Sequence, residues 1–160
     1  MNKNNIDLQN LQNATVDFLD QGKELKIRLG GRSMYPFLRN GDIGLVKKIC
    51  ISNLKIGDVI VFKTSEKLIA HRLLKIIYRN KKLSLITKGD SLLKKDCPIS
   101  EENYIGKIVS FYRKNKTVDI ETEYFIKLNY IISKTSIVLV IIYIFVRIYW
   151  KMQSQIRVKS

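Results

Sequence analysis

The chain has 160 residues, 46% of them hydrophobic, a net charge of +15 and a single histidine. That length allows one domain with a real core plus an appendage. One histidine and two widely spaced cysteines, Cys50 and Cys97, leave no ligand set for a metal, so no metal or other cofactor is expected. Both cysteines are read as free, buried thiols. The positive charge suits an anionic partner, nucleic acid or an acidic membrane face. The Lys and Arg residues are scattered, however, and neither a helix-turn-helix nor a stacking platform is legible. Nucleic acid is therefore not an expected partner.

Residues 1–24 are polar, with Asp7, Asp17 and Asp20 and no apolar run, which is not the pattern of a secretory leader. Leu8, Leu11, Thr15, Phe18 and Leu19 recur at helical spacing, so 1–22 reads as a short amphipathic helix ended by Gly22. From Leu25 the texture turns to short β segments. Strands are expected at Leu25–Leu29, Ile43–Ile49, Val59–Lys63, Leu68–Tyr78, Leu83–Lys88, Ile105–Arg113 and Thr117–Ile120. Turns at Gly41-Asp42, Gly57-Asp58, Asn80-Lys81-Lys82 and Lys114-Asn115-Lys116 separate them. Residues 91–104 read as loop. Many short strands with few helices predict a mainly β domain over 23–122, with a closed or half-closed sheet.

The remaining stretch, 123–160, has another composition. Ile137–Val146 is an unbroken apolar run of ten residues, and Tyr130–Trp150 is nearly all apolar. Lys134 and Arg147 flank the run and can snorkel, while Tyr143, Tyr149 and Trp150 suit an interface belt. A C-terminal apolar helix attached to a membrane is expected, as a span or lying in the interface. Arg147, Lys151, Arg157 and Lys159 follow the run. The positive-inside rule keeps that end cytoplasmic, which for a single span places the β domain outside. An interfacial helix leaves the domain inside.

The stretch Gly30-Gly31-Arg32-Ser33-Met34-Tyr35-Pro36 organises the chemistry. The glycines permit a tight turn and close backbone approach, and Pro36 stops a strand. Such a corner holds Ser33 at the rim of a sheet. A serine needs a base within hydrogen-bond reach, and the chain offers only His71. On a strand, Ile69, His71 and Leu73 share one face and Arg72 points the other way. His71 is thus either a satisfied core histidine or a base for Ser33. A carboxylate on its other nitrogen would fix the tautomer, and both Asp90 and Asp96 are candidates.

Five blocks occur in order: Gly31 to Asp42, Gly57 to Phe62, His71-Arg72, Thr87 to Asp90 and Ile105 to Ile108. Together, over about residues 25–113, they resemble the signal peptidase I superfamily, whose mostly β fold is shared in outline with self-cleaving SOS-type repressors. His71-Arg72 resembles the endoplasmic-reticulum-type and archaeal branch, which carries histidine where bacterial enzymes carry lysine. The resemblance implies Ser33 as nucleophile, His71 as general base then acid, and Asp96 as the carboxylate that completes the set. Asp90 would support the site, and Met34 and Pro36 would shape the substrate edge. It also implies a peptide or preprotein substrate, bound extended beside the serine strand. Where the family often carries a further serine that helps an oxyanion hole, this chain has Gly31; Ser91 replaces an asparagine, and Lys95-Asp96 an aspartate doublet.

A membrane-associated serine endopeptidase is the expectation. Two alternatives differ in class. An idle β domain would bind a peptide or membrane partner without turnover, and the missing side-chain donor at Gly31 speaks for it. A repressor-type domain would cleave itself, yet no Ala-Gly or Cys-Gly dipeptide occurs.

Overall fold

The computed structural model describes residues 14, 15, 17–80, 82–135, 141, 144, 145 and 148. Eight strands are present: β1 Leu25–Arg28, β2 Ile43–Lys47, β3 Val59–Lys63, β4 Leu68–Arg79, β5 Lys82–Lys88, β6 Ile99–Ser100, β7 Tyr104–Arg113 and β8 Lys116–Asp119. They form one antiparallel sheet in the order β1-β2-β7-β3-β4-β5-β6, with β8 also on β7, curled into a half-barrel. Register shifts between Leu45/Val46, Val61/Phe62 and Leu73/Lys75 interrupt three of the ladders. Each adds local twist, which helps so long a sheet to curl.

β3 explains why the sheet is buried on both faces. Val59 to Phe62 is an uninterrupted apolar run, and successive side chains of a strand point to opposite faces. Val59 and Val61 enter one core with Met34, Leu38, Ile108 and Phe111. Ile60 and Phe62 enter a second with Leu73, Leu85 and Tyr104. The tight turns fall where expected, with positive φ at Gly41, Gly57, Asn80, Lys114 and Asn115.

The segment 91–104 is not all loop: it contains β6 and a 3-10 turn at Glu101–Asn103. Ile99 is buried in the second core and pairs with Leu85, and that burial fixes the short strand. The two cysteines are free, as expected, but exposed rather than buried. Both lie in connecting segments, Cys50 after β2 and Cys97 before β6, where no core face reaches them.

Of the N-terminal segment, 14, 15 and 17–20 are helical, and Gly22 follows with φ +74°. Leu19 is buried in the first core; Leu8 and Leu11 lie outside the described residues. A helix runs over 123–135 and packs on the domain. Phe125 rests on the first core, and Asn129, Ile132 and Ser133 are buried. Gly57 permits this approach, since a Cβ there would stand 2.7 Å from the Asn129 carbonyl. Of the apolar run only Ile141, Ile144 and Phe145 are described; Arg147, Tyr149, Trp150 and the basic tail lie outside. Among the described residues no helix is long and apolar enough to cross a membrane.

Candidate active site

Ser33 sits in the turn that connects β1 to β2. Gly31, at φ +78°, donates its N–H to Asn40 Oδ1, and Asn40 lies near the far end of the same turn. Met34 and Leu38 anchor the turn in the first core, and the Leu38 N–H donates to the Met34 carbonyl. Asp42 closes it: its carboxylate accepts from the Arg39 N–H at 2.8 Å and from Arg113 Nε at 2.9 Å. Burial acts to raise the Asp42 pKa, but the Arg113 hydrogen bond and charge, with the Arg39 N–H, hold it below the ordinary carboxylate value.

His71 lies on β4, opposite Ile60 of β3. β5 covers β4 only from Arg72 onward, so among the described residues the outer edge of Leu68–His71 has no strand beside it. His71 is buried to 5% exposure and packs edge-on against Phe62. Its Nε2 lies 3.0 Å from Ser33 Oγ, and its Nδ1 lies 2.7 Å from Asp96 Oδ2. An ionised carboxylate accepts only, so Nδ1 is the protonated nitrogen and Nε2 is left to accept from the serine hydroxyl.

Asp96 comes from the loop between β5 and β6. Its N–H donates to the Thr87 carbonyl, and Thr87 Oγ1 donates to Asp96 Oδ2 at 2.6 Å. Burial alone would raise the Asp96 pKa; the hydrogen bonds from His71 and Thr87 outweigh it and hold the carboxyl below its ordinary value. The same loop clasps the serine turn. Ser91 donates its N–H to the Ser33 carbonyl at 2.9 Å and its hydroxyl to the Arg32 carbonyl at 2.7 Å. Gly89 makes the approach possible, because a Cβ there would stand 2.7 Å from the Ser33 carbonyl oxygen.

Of the two candidate aspartates, only Asp96 reaches His71. Asp90 is buried on Arg72, accepting from Nε and Nη2 at 2.7 Å each. Arg72 Nη1 also donates to the Gly57 carbonyl and to Asn129 Oδ1, each at 2.8 Å. Met34 lines the cleft beside Ser33. Pro36, in a cis peptide with Tyr35, is exposed and does not line it, so its part is confined to the turn.

No protein-family profile matches the chain. No curated protein matches it in sequence. The assignment therefore rests on the residues themselves.

The cleft above Ser33 and His71 has a volume of about 610 Å³ and is open to solvent. β1 forms one wall and the N-terminal half of β4 another. Among the described residues β1 pairs only with β2, so it too presents an unpaired edge. Three contributors have partners that the sequence does not signal. Thr87 and Ser91 fall inside or beside a recognisable block, but their partners are set by tertiary contacts. Asn129 carries no local signal, because its partner Arg72 lies 57 residues away.

Proposed function

We propose that this chain is a serine endopeptidase of the signal-peptidase type, cleaving an extended peptide or leader through an acyl-enzyme. The observation that carries the reading is the hydrogen-bonded chain Ser33–His71–Asp96, whose serine and histidine line an open cleft flanked by strand edges that are unpaired among the described residues. The half-barrel sheet and the block order Gly31–Asp42, His71-Arg72, Thr87–Asp90 support the family resemblance.

A peptide adding a strand beside β1 would lay its backbone across Ser33. Ser33 Oγ forms a bond to the scissile carbonyl carbon while His71 Nε2 takes the hydroxyl proton. The carbonyl π electrons move to oxygen, giving a tetrahedral oxyanion. When the oxyanion collapses, the C–N bond breaks and His71 returns the proton to the departing amine. Water then attacks the acyl-serine ester, His71 takes its proton, and Ser33 leaves with that proton restored. Asp96 stays ionised, orients the ring and stabilises the imidazolium. With Gly31 carrying no side chain, backbone N–H groups at the serine turn are the donors for the oxyanion. Among the described residues the Ser33 N–H has no acceptor.

Membrane attachment through the C-terminal segment belongs to the same proposal. Ile141, Ile144, Phe145 and Ile148 are helical, exposed and spaced along one helical stripe, which supports an apolar face offered to lipid.

The test is digestion of a mixed peptide library by the full chain, with new termini read by mass spectrometry and Ser33→Ala as control. Termini produced by the wild type and absent with Ser33→Ala are expected. Binding of library peptides with no new termini would leave the non-hydrolytic binding domain that Gly31 favours.

A further inference from the structure

The cleft that holds Ser33 is electrically one-sided. Arg28, Arg32, Arg39 and Lys67 line it, and among the described residues no carboxylate does. The four come from separate places: Arg28 from the end of β1, Arg32 and Arg39 from the serine turn, Lys67 from the turn before β4. All are exposed. Several cations elsewhere are paired with carboxylates. Lys47 pairs with Glu24, Lys48 with Asp20, Arg72 with Asp90, Lys107 with Asp58 and Glu121, and Arg113 with Asp42. Among the described residues none of the four forms a side-chain ion pair within 4.0 Å, although the Asp42 carboxylate, held by Arg113, also accepts from the Arg39 backbone N–H and feels its charge. Arg39 lies over the Tyr35 ring instead.

Like charges around a low-dielectric cleft focus a field into it and raise the local concentration of an opposite charge. The apolar part is equally ordered: Ile27, Leu29, Met34, Leu38, Val61 and Ala70 line the same space. On β1 the half-buried Leu25 and Ile27 alternate with the exposed Lys26 and Arg28. A strand added beside β1 would carry its own side chains alternately to those two sides. One set would meet the apolar wall and the other the cations.

We propose that the cleft selects an extended peptide with apolar side chains at alternate positions and Asp or Glu between them, with Arg28, Arg32, Arg39 and Lys67 as the specificity-determining residues. The proposal rests on the peptidase reading for its site but needs no turnover. A peptide fits better than an anionic lipid surface because the unpaired cations gather around the cleft and its two open strand edges. The exposed apolar residues Ile141, Ile144, Phe145 and Ile148 lie elsewhere in the sequence.

The test uses the full chain carrying Ser33→Ala and two fluorescein-labelled decapeptides with identical apolar residues. One carries Glu and the other Lys at the alternate positions. Anisotropy titrations are run at about 20 mM and about 300 mM salt, on either side of physiological screening. The Glu peptide is expected to bind at least about tenfold tighter at the lower salt, with the gap shrinking at the higher. Adding R28E and K67E should close or reverse the gap. Equal binding of both peptides, a gap indifferent to salt, or one unmoved in a folded R28E/K67E chain would overturn the proposal. If that variant fails to fold, the salt dependence in the Ser33→Ala chain decides. Phosphatidylglycerol vesicles are the competing arm. Should they displace the Glu peptide while phosphatidylcholine vesicles do not, the cations belong to lipid and the proposal fails. Binding with the expected preference but without hydrolysis by the wild-type chain would sink only the peptidase reading. Hydrolysis without charge preference would sink only this inference.

Discussion

His71 and Arg72 are neighbours on one strand and sit in opposite kinds of place. His71 faces a cleft, holds one nitrogen on Asp96 and offers the other to a hydroxyl that is itself free to react. Arg72 is fully buried, and its guanidinium makes four hydrogen bonds, to both Asp90 oxygens, the Gly57 carbonyl and Asn129. The first cluster keeps an unfilled capacity, a proton with somewhere to go. In the second every guanidinium nitrogen is already committed to a buried partner. Chemistry needs the former, and a fixed position for β4 needs the latter. The alternation of one strand supplies both from adjacent residues.

The sharpest way to break this comparison is to remove members of each cluster and ask what is lost. His71→Ala should lower peptide hydrolysis by a factor on the order of 10⁶ while leaving a folded chain, read by initial rates and by circular dichroism. Asp96→Asn should cost about 10⁴ in rate, because the amide no longer holds the same tautomer. In the saturated cluster the loss should be stability instead. Asp90→Ala strands a buried guanidinium and should destabilise the fold by about 3–5 kcal/mol in urea titration. Replacing both partners, as in R72M/D90L, should recover much of that stability. No double replacement of His71 and Asp96 should recover hydrolysis. Asn129→Ala removes one of the two acceptors on Nη1 and should cost about 1–3 kcal/mol, with the Gly57 carbonyl still in place. A loss of hydrolysis from Asn129→Ala in a chain of unchanged stability would show that the two clusters are not separate.

The smallest effect is on acid tolerance. Asp96 is held below its ordinary value of 3.8, so its contribution to stability is complete above that value and drains away as pH falls through the lower folded one. Thr87→Val removes one of the hydrogen bonds that hold it down and should move that acid limb up toward 3.8. Denaturation curves between about pH 2 and pH 6 would register the shift, and an unmoved limb would assign the acid sensitivity elsewhere, Asp42 being the other depressed carboxylate.

Local pattern carried the sheet, and tertiary contact carried what local pattern could not. β3 was legible to the residue because four consecutive apolar side chains between a Gly-Asp turn and a polar stretch admit little else. β6 was not, since two residues hold too little alternation and owe their strand geometry to Ile99 reaching a core built by other segments. Ser33 and His71 could be paired by scarcity alone, there being one histidine. The choice between Asp90 and Asp96 needed the structure. Both follow the same strand, and only the return of the loop onto the Thr87 carbonyl carries Asp96 to the ring. Cys50 and Cys97 are exposed although thiols are usually buried, a tendency with no bearing on connecting segments. The helix at 123–135 drew attention for its apolar neighbours downstream, whereas its described face contributes an asparagine to Arg72.

The loop from Gly89 to Asp96 holds the Ser33 turn and carries Asp96, two members of the Ser33–His71–Asp96 chain at once. It grips the Ser33 turn through Ser91 and delivers Asp96 to His71, while His71 itself stands on the sheet. Between those two grips lie four exposed residues, Leu92 to Lys95, two of them lysines. A single tryptic cut there would loosen Ser33 and Asp96 in one stroke and leave the sheet intact. For anyone wishing to silence the molecule without altering any of the three residues, that short bridge is the fuse.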